Sequence, residues 1–346
     1  MIDLRSDTVT QPDAAMREAM AQAVVGDDVI DVDPTTAQLQ EMIAELTGHE
    51  AAMFMPSGTM TNQVAVRLHC RPGDEFICES GCHIYNYEQG AFAQLSQTIP
   101  RIVDGTENIL TVEQLHGLIR PKDEHAVQTR LVCLENTHNR GGGRILPYDG
   151  VEQICKWAHD HDLKTHLDGA RLFNAVVASG IPARQWCQHF DTVSICFSKG
   201  LGAPVGSALV GSKEIVGTLR RHRKLFGGGM RQSGIIAAGA IHALENNVER
   251  LADDHASARR IADAVEKTEG LSLQPKSVDT NIVIFNVANE IGTAAEFCES
   301  AKSKGAWMYP FGAQQVRAVT HLHISQQDAD SAGQIITEVA SNPVRV

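Results

Sequence analysis

The chain has 346 residues, of which 43% are hydrophobic and 21% are charged. This composition is typical of a soluble globular protein with one large domain and a smaller one. The formal net charge is −12 and lysine and arginine form no block, which makes nucleic acid and anionic membranes poor partners.

The N-terminal stretch MIDLRSDTVT carries charges at Asp3, Arg5 and Asp7 and lacks the apolar core of a signal peptide. No apolar run elsewhere approaches the roughly 20 residues that cross a bilayer. The eight cysteines lie in apolar segments, and the spacing of Cys78 and Cys82 has no second pair of ligands to complete a zinc site. We therefore expect reduced thiols, no metal ion and a cytoplasmic location.

Short β-rich runs alternate with segments of helical spacing between residues 50 and 212. The predicted strands cover 51–55, 75–79, 130–135, 163–168, 192–197 and 207–210. The predicted helices begin at Gly58 and cover 149–161 and 170–179. This alternation predicts an α/β fold, in which helices cover both faces of a mostly parallel sheet.

The pattern changes at about residue 231 to long helical segments, over 231–247 and 251–268. Strands near 282–285 and 316–321 follow, and then a terminal helix. The change indicates a second, smaller α+β domain. The predicted division of the chain is an N-terminal arm over 1–14, a large domain over 15–248 and a small C-terminal domain over 249–346.

Ligands of parallel α/β sheets gather where strands end and helices begin, and three candidate groups lie at such ends. The first is PSGT, residues 56–59, where a strand leads into a helix. The free N–H groups and the dipole of that helix would bind a phosphate. The same turn is also typical of an ordinary helix N-cap.

The second and third groups are a carboxylate and an amine. Asp168 ends an apolar strand, and it is either an N-cap or a buried anion that awaits a cation. Lys199 follows a buried strand in the turn Ser198-Lys199-Gly200. Its side chain either extends to solvent, as loop lysines usually do, or has a lowered pKa and forms a Schiff base.

Together the three groups have the layout of a pyridoxal-phosphate site. Lys199 would hold the aldehyde of the cofactor, and Asp168 would keep the ring nitrogen protonated. The helix N-terminus at Gly58 would bind the phosphate.

The chain also resembles the threonine aldolases, which are fold-type-I pyridoxal-phosphate enzymes of the β-eliminating lyase superfamily. The matching motifs run in order from residue 3 to about 325: LRSDTVTQP, PSGTMTN, LENTHN, HLDGARLFNA, SICFSKGLGAPVGS, GGGMRQSG and VRAVTHL. The resemblance implies a large domain with a mostly parallel central sheet and a small α+β domain. It also implies reversible cleavage of L-threonine or L-allo-threonine to glycine and acetaldehyde.

Cofactor contacts follow from the same resemblance. It implies that Lys199 is the Schiff-base lysine and that Asp168 is the partner of the pyridinium. It also implies that Gly58 and Thr59 hold the phosphate, and that Arg171 lies beside cofactor and substrate.

Substrate contacts are implied in the same way. Ser6 and Arg317 would bind the substrate carboxylate, which suits a bidentate arginine. His83 would stack on the cofactor ring and His125 would line the substrate end. Either histidine, directly or through water, is a candidate base for the β-hydroxyl proton.

A homotetramer with shared active sites is the assembly that the resemblance implies. Lys224 and Arg231, around the segment LFGGGM, would reach the site of a neighbouring subunit. Without the resemblance, this cluster of cations is typical of a solvated face, and any one of the 15 histidines is an ordinary core or surface residue.

Two alternative functions use the same scaffold. The lysine, aspartate and phosphate set also serves β-elimination and transamination, which yield a keto acid in place of acetaldehyde and glycine. A non-catalytic protein that retained the fold is the third alternative, and Lys199, Asp168 and Arg317 argue against it. The chain departs from the family at Ile30, where tyrosine is common, and in the glycine-lengthened loop 141–143; both bear on substrate range.

Overall fold

A seven-stranded sheet and a four-stranded sheet organise the computed structural model, which describes residues 1–342. The strands are β1 (Ile2–Asp3), β2 (Ala51–Met55), β3 (Glu75–Glu79), β4 (Ile99–Val103), β5 (Thr129–Glu135), β6 (Lys164–Gly169), β7 (Thr192–Cys196), β8 (Ser207–Gly211), β9 (Leu271–Leu273), β10 (Ile282–Val287), β11 (Ala306–Trp307), β12 (Tyr309–Pro310) and β13 (Gln315–Val319).

The helices lie between and around these strands. They are α1 (Ala14–Ala21), α2 (Pro34–Thr47), α3 (Gly58–His69), α4 (His83–Asn86), α5 (Ala91–Ser96), α6 (Val112–Leu115), α7 (Tyr148–Asp160), α8 (Leu172–Ser179), α9 (Ala183–Cys187), α10 (Lys213–Leu225), α11 (Gly234–Asn246), α12 (Leu251–Glu266), α13 (Ala294–Ser303) and α14 (Gln326–Ser341). Within residues 1–342 no helix has the length and apolar character needed to cross a membrane.

The large sheet has the strand order β2-β8-β7-β6-β5-β3-β4. Neighbouring strands from β7 to β4 pair in parallel, whereas β8 runs antiparallel to both β2 and β7. The prediction of a mostly parallel sheet is confirmed. The reversed direction of β8 is the feature that the β-rich run 207–210 did not reveal.

Helices cover both faces of this sheet. Alternate residues of β8 enter different cores, because successive side chains of a strand point to opposite faces. Ala208 and Val210 belong to the largest core, with residues of α2, α7, α8 and α11. Leu209 packs on the other face against Val64 and Ala65 of α3. The strands are therefore buried on both sides, which is why they are nearly continuous apolar runs.

A second core belongs to the smaller sheet, whose antiparallel order is β12-β13-β10-β9. Val283 and Phe285 of β10 pack there with residues of α12, α13 and α14. Leu4, near the N-terminus, enters the same core, and β1 pairs in parallel with β11. The domain boundaries at 14/15 and 248/249 stay predictions, and residues 343–346 of the predicted small domain lie outside the described residues.

Two predicted helices begin later in the structure than the periodicity indicated. The helix predicted from Arg231 begins at Gly234, because the backbone at Arg231 instead accepts a hydrogen bond from the Asp28 N–H (3.0 Å). The helix predicted from residue 170 begins at Leu172, because the Ala170 N–H donates to Asp168 Oδ1 (3.0 Å). All eight cysteines lie within the described residues, and they are buried and free of disulfides.

A buried ion pair joins the N-terminal residues to both sheets. Arg171, between β6 and α8, donates from Nε and Nη2 to the two carboxylate oxygens of Asp7, both at 2.7 Å. Asn281, which precedes β10, donates to the same carboxylate at 3.2 Å. Burial opposes the charge of Asp7, but the Arg171 guanidinium and its hydrogen bonds, together with Lys199 and Asn281, lower the pKa of Asp7 to about 2.

The pKa of Asp7 predicts how stability varies with pH. Its folded value lies below the unfolded value of about 3.9, so the stabilisation is complete above pH 4 and is lost as the pH falls towards 2. Asp7→Asn should lower the free energy of unfolding by about 3 kcal/mol at pH 7, because Arg171 then stays buried without its anion. It should also flatten the pH dependence below pH 4, measured by urea denaturation of the apoprotein.

The matched control is Asp3→Asn in the same N-terminal segment. Asp3 pairs with Arg5 at 2.6 Å, but both side chains keep about a quarter of their surface exposed. Such pairs contribute about 1 kcal/mol or less. Equal losses in the two variants would contradict the role assigned to the buried pair.

Candidate active site

A cleft of about 270 Å³ lies at the carboxyl ends of the parallel strands β5, β6 and β7. Its walls combine residues from the N-terminal segment, the large sheet and the small sheet. The lining residues are Ser6, Thr8, His83, Tyr87, Asn139, Arg171, Lys199, Phe311 and Arg317. Five residues predicted from the sequence are therefore together: Ser6, His83, Arg171, Lys199 and Arg317.

Lys199 lies just beyond β7, in a turn that its own backbone closes. The Gly202 N–H and the Thr10 hydroxyl donate to the Lys199 carbonyl oxygen, at 2.9 Å and 3.1 Å. Gly202 has φ +81°, which L side chains rarely adopt, and a Cβ on Gly200 would approach Leu251 Cδ2 to 2.9 Å. The two glycines hold a tight turn that directs Lys199 into the cleft.

Asp168 is buried near the end of β6. Its Oδ1 accepts from the Ala170 N–H at 3.0 Å, and its Oδ2 accepts from Asn62 Nδ2 at 2.8 Å. Helix α8 begins at Leu172 with Arg171 in the N-cap position, so Asp168 is not the cap of that helix. The structure therefore excludes the N-cap interpretation of Asp168, and the interpretation as the anionic partner of a cation stays a prediction.

His83 begins α4 at the edge of the cleft. Its backbone N–H donates to Glu135 Oε2 at 2.6 Å, and its ring Nδ1 lies 2.9 Å from Glu88 Oε1. Because a carboxylate only accepts, Nδ1 carries the proton and Nε2 is left for another partner. Burial acts to lower the pKa of His83, but the bond to Glu88 and the charge of Asp168 raise it above its ordinary value.

The sequence analysis missed the acidic partners of His83. Ligand atoms of His83, Glu88 and Asp168 lie within 4.8 Å of one another, and Asn62 lies between the two carboxylates. The available signal is the run Thr61-Asn62-Gln63, three consecutive polar residues on a helix that are all buried in the structure. Buried polar groups require partners, so such a run indicates an internal polar network.

The positive side of the cleft is formed by two arginines. Arg317, on β13, donates to Asn139 Oδ1 at 3.1 Å and to the Arg5 carbonyl at 3.2 Å. Its buried Nε has no partner within residues 1–342. Arg171 is neutralised by Asp7, whereas Arg317 has no carboxylate among its hydrogen-bond partners in that range. The free donor and unpaired charge of Arg317 fit an anionic group such as a carboxylate.

The N-terminus of α3 has room for a second anion. Ser57 caps the helix by accepting from the Met60 N–H at 3.2 Å. A Cβ on Gly58 would meet only the Ser207 hydroxyl, at 3.6 Å, so the helix end is open. That hydroxyl is buried and has no partner within the described chain. An open helix N-terminus beside an unsatisfied hydroxyl fits a phosphate.

Three predicted site residues lie away from the cleft within one chain. His125 is in the loop that precedes β5, at the amino edge of the sheet, and its side chain is 88% exposed. Arg231 is half-exposed and pairs with Asp27 at 3.0 Å. Lys224 lies in the last turn of α10 and is not among the lining residues. The single chain thus brings none of these three to Lys199.

Comparison with known proteins identifies the family. A family model described as beta-eliminating lyase matches residues 3–289. The chain is 44% identical to a probable low-specificity L-threonine aldolase 2 of Arabidopsis thaliana, over 95% of this chain and 94% of that protein. It is 43% identical to the low specificity L-threonine aldolase of Escherichia coli K12, over 94% and 96% of the two chains.

Solved structures support the fold. A threonine aldolase of Leishmania major superposes with a TM-score of 0.84 at 20% identity and covers 98% of this chain and 100% of its own. A putative L-allo-threonine aldolase of Listeria monocytogenes gives a TM-score of 0.82 at 19% identity, over 98% and 96% of the chains. Taken with the matched family model and the sequence relatives, these findings establish that the chain belongs to the β-eliminating lyase family and, within it, to the threonine aldolases.

Proposed function

We propose that this carbon–carbon lyase reversibly cleaves L-threonine and L-allo-threonine to glycine and acetaldehyde. The observation that carries the proposal is one cleft lined by an amine, Lys199, and by an arginine with an unpartnered nitrogen, Arg317, with the buried carboxylate of Asp168 within 4.8 Å of a ring nitrogen of the lining residue His83. The names of the curated relatives, low-specificity L-threonine aldolases, support the choice of substrate.

Pyridoxal 5′-phosphate is the cofactor of this family, and the residues of the cleft fit it. Lys199 would hold its aldehyde, Asp168 its ring nitrogen, and Gly58 and Thr59 at the start of α3 its phosphate. Ser207 supplies the unsatisfied hydroxyl beside the phosphate position. When bound, the protonated ring accepts the electron pair that is released as the Cα–Cβ bond of the substrate breaks.

Arg317, Ser6 and Arg171 would bind and orient the substrate carboxylate. Arg317 offers its free Nε, while its two other nitrogens are held by Asn139 and the Arg5 carbonyl. Arg171 is held by Asp7, so its guanidinium is already positioned before the substrate binds. This preorganisation fixes which substrate bond points at the cofactor.

His83 is the base that the single chain supplies. The proton of the β-hydroxyl would pass to Nε2 of His83, while the proton on Nδ1 stays there and remains hydrogen-bonded to Glu88; the hydroxyl oxygen would become the carbonyl oxygen of acetaldehyde. His125 reaches a cleft only when another subunit presents its loop. We assign it to the substrate end, where it would discriminate between the two configurations of the β-carbon.

The function is tested with the four stereoisomers of threonine. The holoenzyme should release equal amounts of acetaldehyde and glycine from the two L isomers, followed by a coupled reductase assay and amino-acid analysis. Lys199→Ala and Lys199→Arg should release neither and should lose the visible absorption of the bound cofactor, because Lys199 is the only amine among the lining residues. A keto acid as the main product would contradict the proposal in favour of elimination or transamination.

Substitutions of His83 and His125 should have different effects on the enzyme. His83→Phe keeps a ring for stacking but loses the proton acceptor, so kcat should fall about 100-fold while the cofactor stays bound. In the wild type the free base is lost as the pH falls through its raised pKa, so the acid limb of kcat/KM should lie above pH 6.5 and vanish in His83→Phe.

His125→Ala should instead change the ratio of threo to allo cleavage with little change in the absorption spectrum. His116→Ala, at another exposed histidine of the same connection between β4 and β5, is the matched control and should change neither readout. Identical effects of His83→Phe and His125→Ala on rate, spectrum and ratio would refute this division of roles.

We further propose a homotetramer in the cytoplasm, in which Lys224 and Arg231 contribute to the phosphate end of a neighbour's site. Large apolar side chains are exposed near these cations in the sequence, or near Asp27, the ion-pair partner of Arg231: Leu225, Ile235, Val24 and Ile30. Exposed apolar side chains of this kind support a contact between subunits. The free, buried thiols support a reducing compartment.

Refolding a mixture of two variants tests whether each active site is shared between subunits. Arg231→Ala should bind the cofactor about 10-fold more weakly, since a charge-assisted contact is lost, and Lys199→Ala should be inactive. Refolding them together should restore activity, because some sites then combine an intact Lys199 with an intact Arg231 of another chain. No recovery in tag-purified hybrids would mean that Arg231 serves its own chain.

A further inference from the structure

A continuous chain of hydrogen bonds, buried except at its last, partly buried member, runs from Asp168 through the interior to the amino edge of the large sheet. Asn62 Nδ2 donates to Asp168 Oδ2 at 2.8 Å, and His166 Nε2 lies 3.1 Å from Asn62 Oδ1. His166 Nδ1 lies 2.9 Å from the Thr192 hydroxyl, which in turn lies 3.0 Å from His69 Nε2. Four side chains thus support one carboxylate.

The elements of the fold place these groups in line. His166 lies two residues before Asp168 on β6, so both side chains point to the same face of the sheet. Thr192 is the partner of His166 across the β6–β7 pairing. Asn62 and His69 belong to α3, the helix whose N-terminus is the candidate phosphate site. The network therefore ties the ring end of the cofactor site to the helix at its phosphate end.

Donors and acceptors assign a single direction to the chain. The Asn62 amide oxygen only accepts, so His166 Nε2 carries the proton, and Nδ1 of the neutral ring accepts from the Thr192 hydroxyl. The Thr192 oxygen then accepts from His69 Nε2. Burial lowers the pKa of His166 to about 4, against the charge of Asp168, and burial with the influence of His166 lowers that of His69 to about 3. Both rings are neutral, and every bond points towards Asp168.

Asn62 also holds a second carboxylate. Its Nδ2 donates to Glu88 Oε1 at 2.8 Å, the same oxygen that meets His83 Nδ1. One amide thus separates two buried carboxylates, which repel each other unless donors lie between them. The same amide fixes Asp168, which faces the ring nitrogen, and Glu88, which orients His83.

We propose that Asn62 is a positioning residue, held in place by His166 and Thr192, that keeps the carboxylate of Asp168 aimed at the ring nitrogen of the cofactor. The inference rests on the proposed function, since it takes Asp168 as the partner of that nitrogen. The titratable groups that interact with Asp168 come from several elements. They are His83, Glu88, Cys133, His138 and His166.

The test compares binding of two ligands: pyridoxal phosphate and its analogue in which CH replaces the ring nitrogen. Only the first engages Asp168. Asn62→Leu should weaken binding of pyridoxal phosphate about 10-fold or more, because hydrogen bonds to a charged group are lost. It should change binding of the analogue less than threefold. A residue that merely supports the fold would weaken both ligands equally.

One further variant, Asp168→Asn, serves as the reference for this comparison. Asp168→Asn should show the same selective loss, and its failure to do so would overturn the assignment of Asp168 and the inference with it. If Asp168→Asn shows the selective loss of affinity, two results for Asn62→Leu would overturn the role of Asn62 alone. One is an equal loss of affinity for both ligands, and the other is no loss of affinity for either. Activity towards threonine is not needed for either result, so failure of the proposed reaction is distinguished from failure of the inference.

Thr192→Val is the milder variant and keeps the test valid if Asn62→Leu does not fold. It removes the hydroxyl that holds His166, and it should produce the same selectivity to a smaller extent. Thr165→Val is the matched control, because Thr165 is an equally buried threonine on the neighbouring strand that bonds to Asp191 instead. A selective loss of affinity for pyridoxal phosphate in Thr165→Val would overturn the proposal. If Asn62→Leu cannot be purified, the absence of a selective loss in Thr192→Val would overturn it as well.

Discussion

The carboxylate of Asp7 is the interaction on which the arrangement of the cleft depends. It accepts from Arg171, at the edge of the large sheet, and from Asn281, at the start of the small sheet. Its neighbour Ser6 lines the cleft, and nearby Leu4 is part of the small core. A buried charge is strongly destabilising unless its ion-pair partner is in place. The single carboxylate of Asp7 therefore sets the relative positions of three parts of the chain.

The charges in and around the cleft form two groups. Asp168, Glu88 and Glu135 are grouped around His83 and form the negative group, whereas Arg171 and Arg317 line the cleft and form the positive group. Lys199 lies with the arginines along the wall of the cleft. An amino acid is itself a dipole, and its carboxylate suits the positive group. Under the proposed function, this division of charge would orient the substrate as it binds.

The sequence predicted that two of the candidate site residues lie at one edge of the sheet, for a physical reason. Apolar runs that are buried on both faces identify parallel strands, and the carboxyl ends of such strands share one edge, so Asp168 and Lys199 had to be neighbours. The direction of β8 escaped the pattern, although the short link from β7 signals an antiparallel pair, since a parallel crossover needs a dozen or more residues. Contacts between distant side chains, such as Asn62 with Glu88, leave no periodicity at all. The role proposed for His125 requires contacts between subunits, which a single chain does not contain.

The reversal of β8 has a consequence for how such an enzyme changes its substrate range. Because β8 runs backwards, Ser207 begins it opposite Cys196, at the same edge where β7 ends. Lys199 and Ser207 are thus carried by one β-hairpin, and Ser207 lies beside the open end of α3. Under the proposed function, the residues that would hold the two ends of the cofactor belong to the large sheet, whereas Arg317 belongs to the small one. Substitutions in the small sheet would then alter substrate recognition without altering the cofactor anchor, so that enzymes acting on different amino acids would inherit one catalytic apparatus.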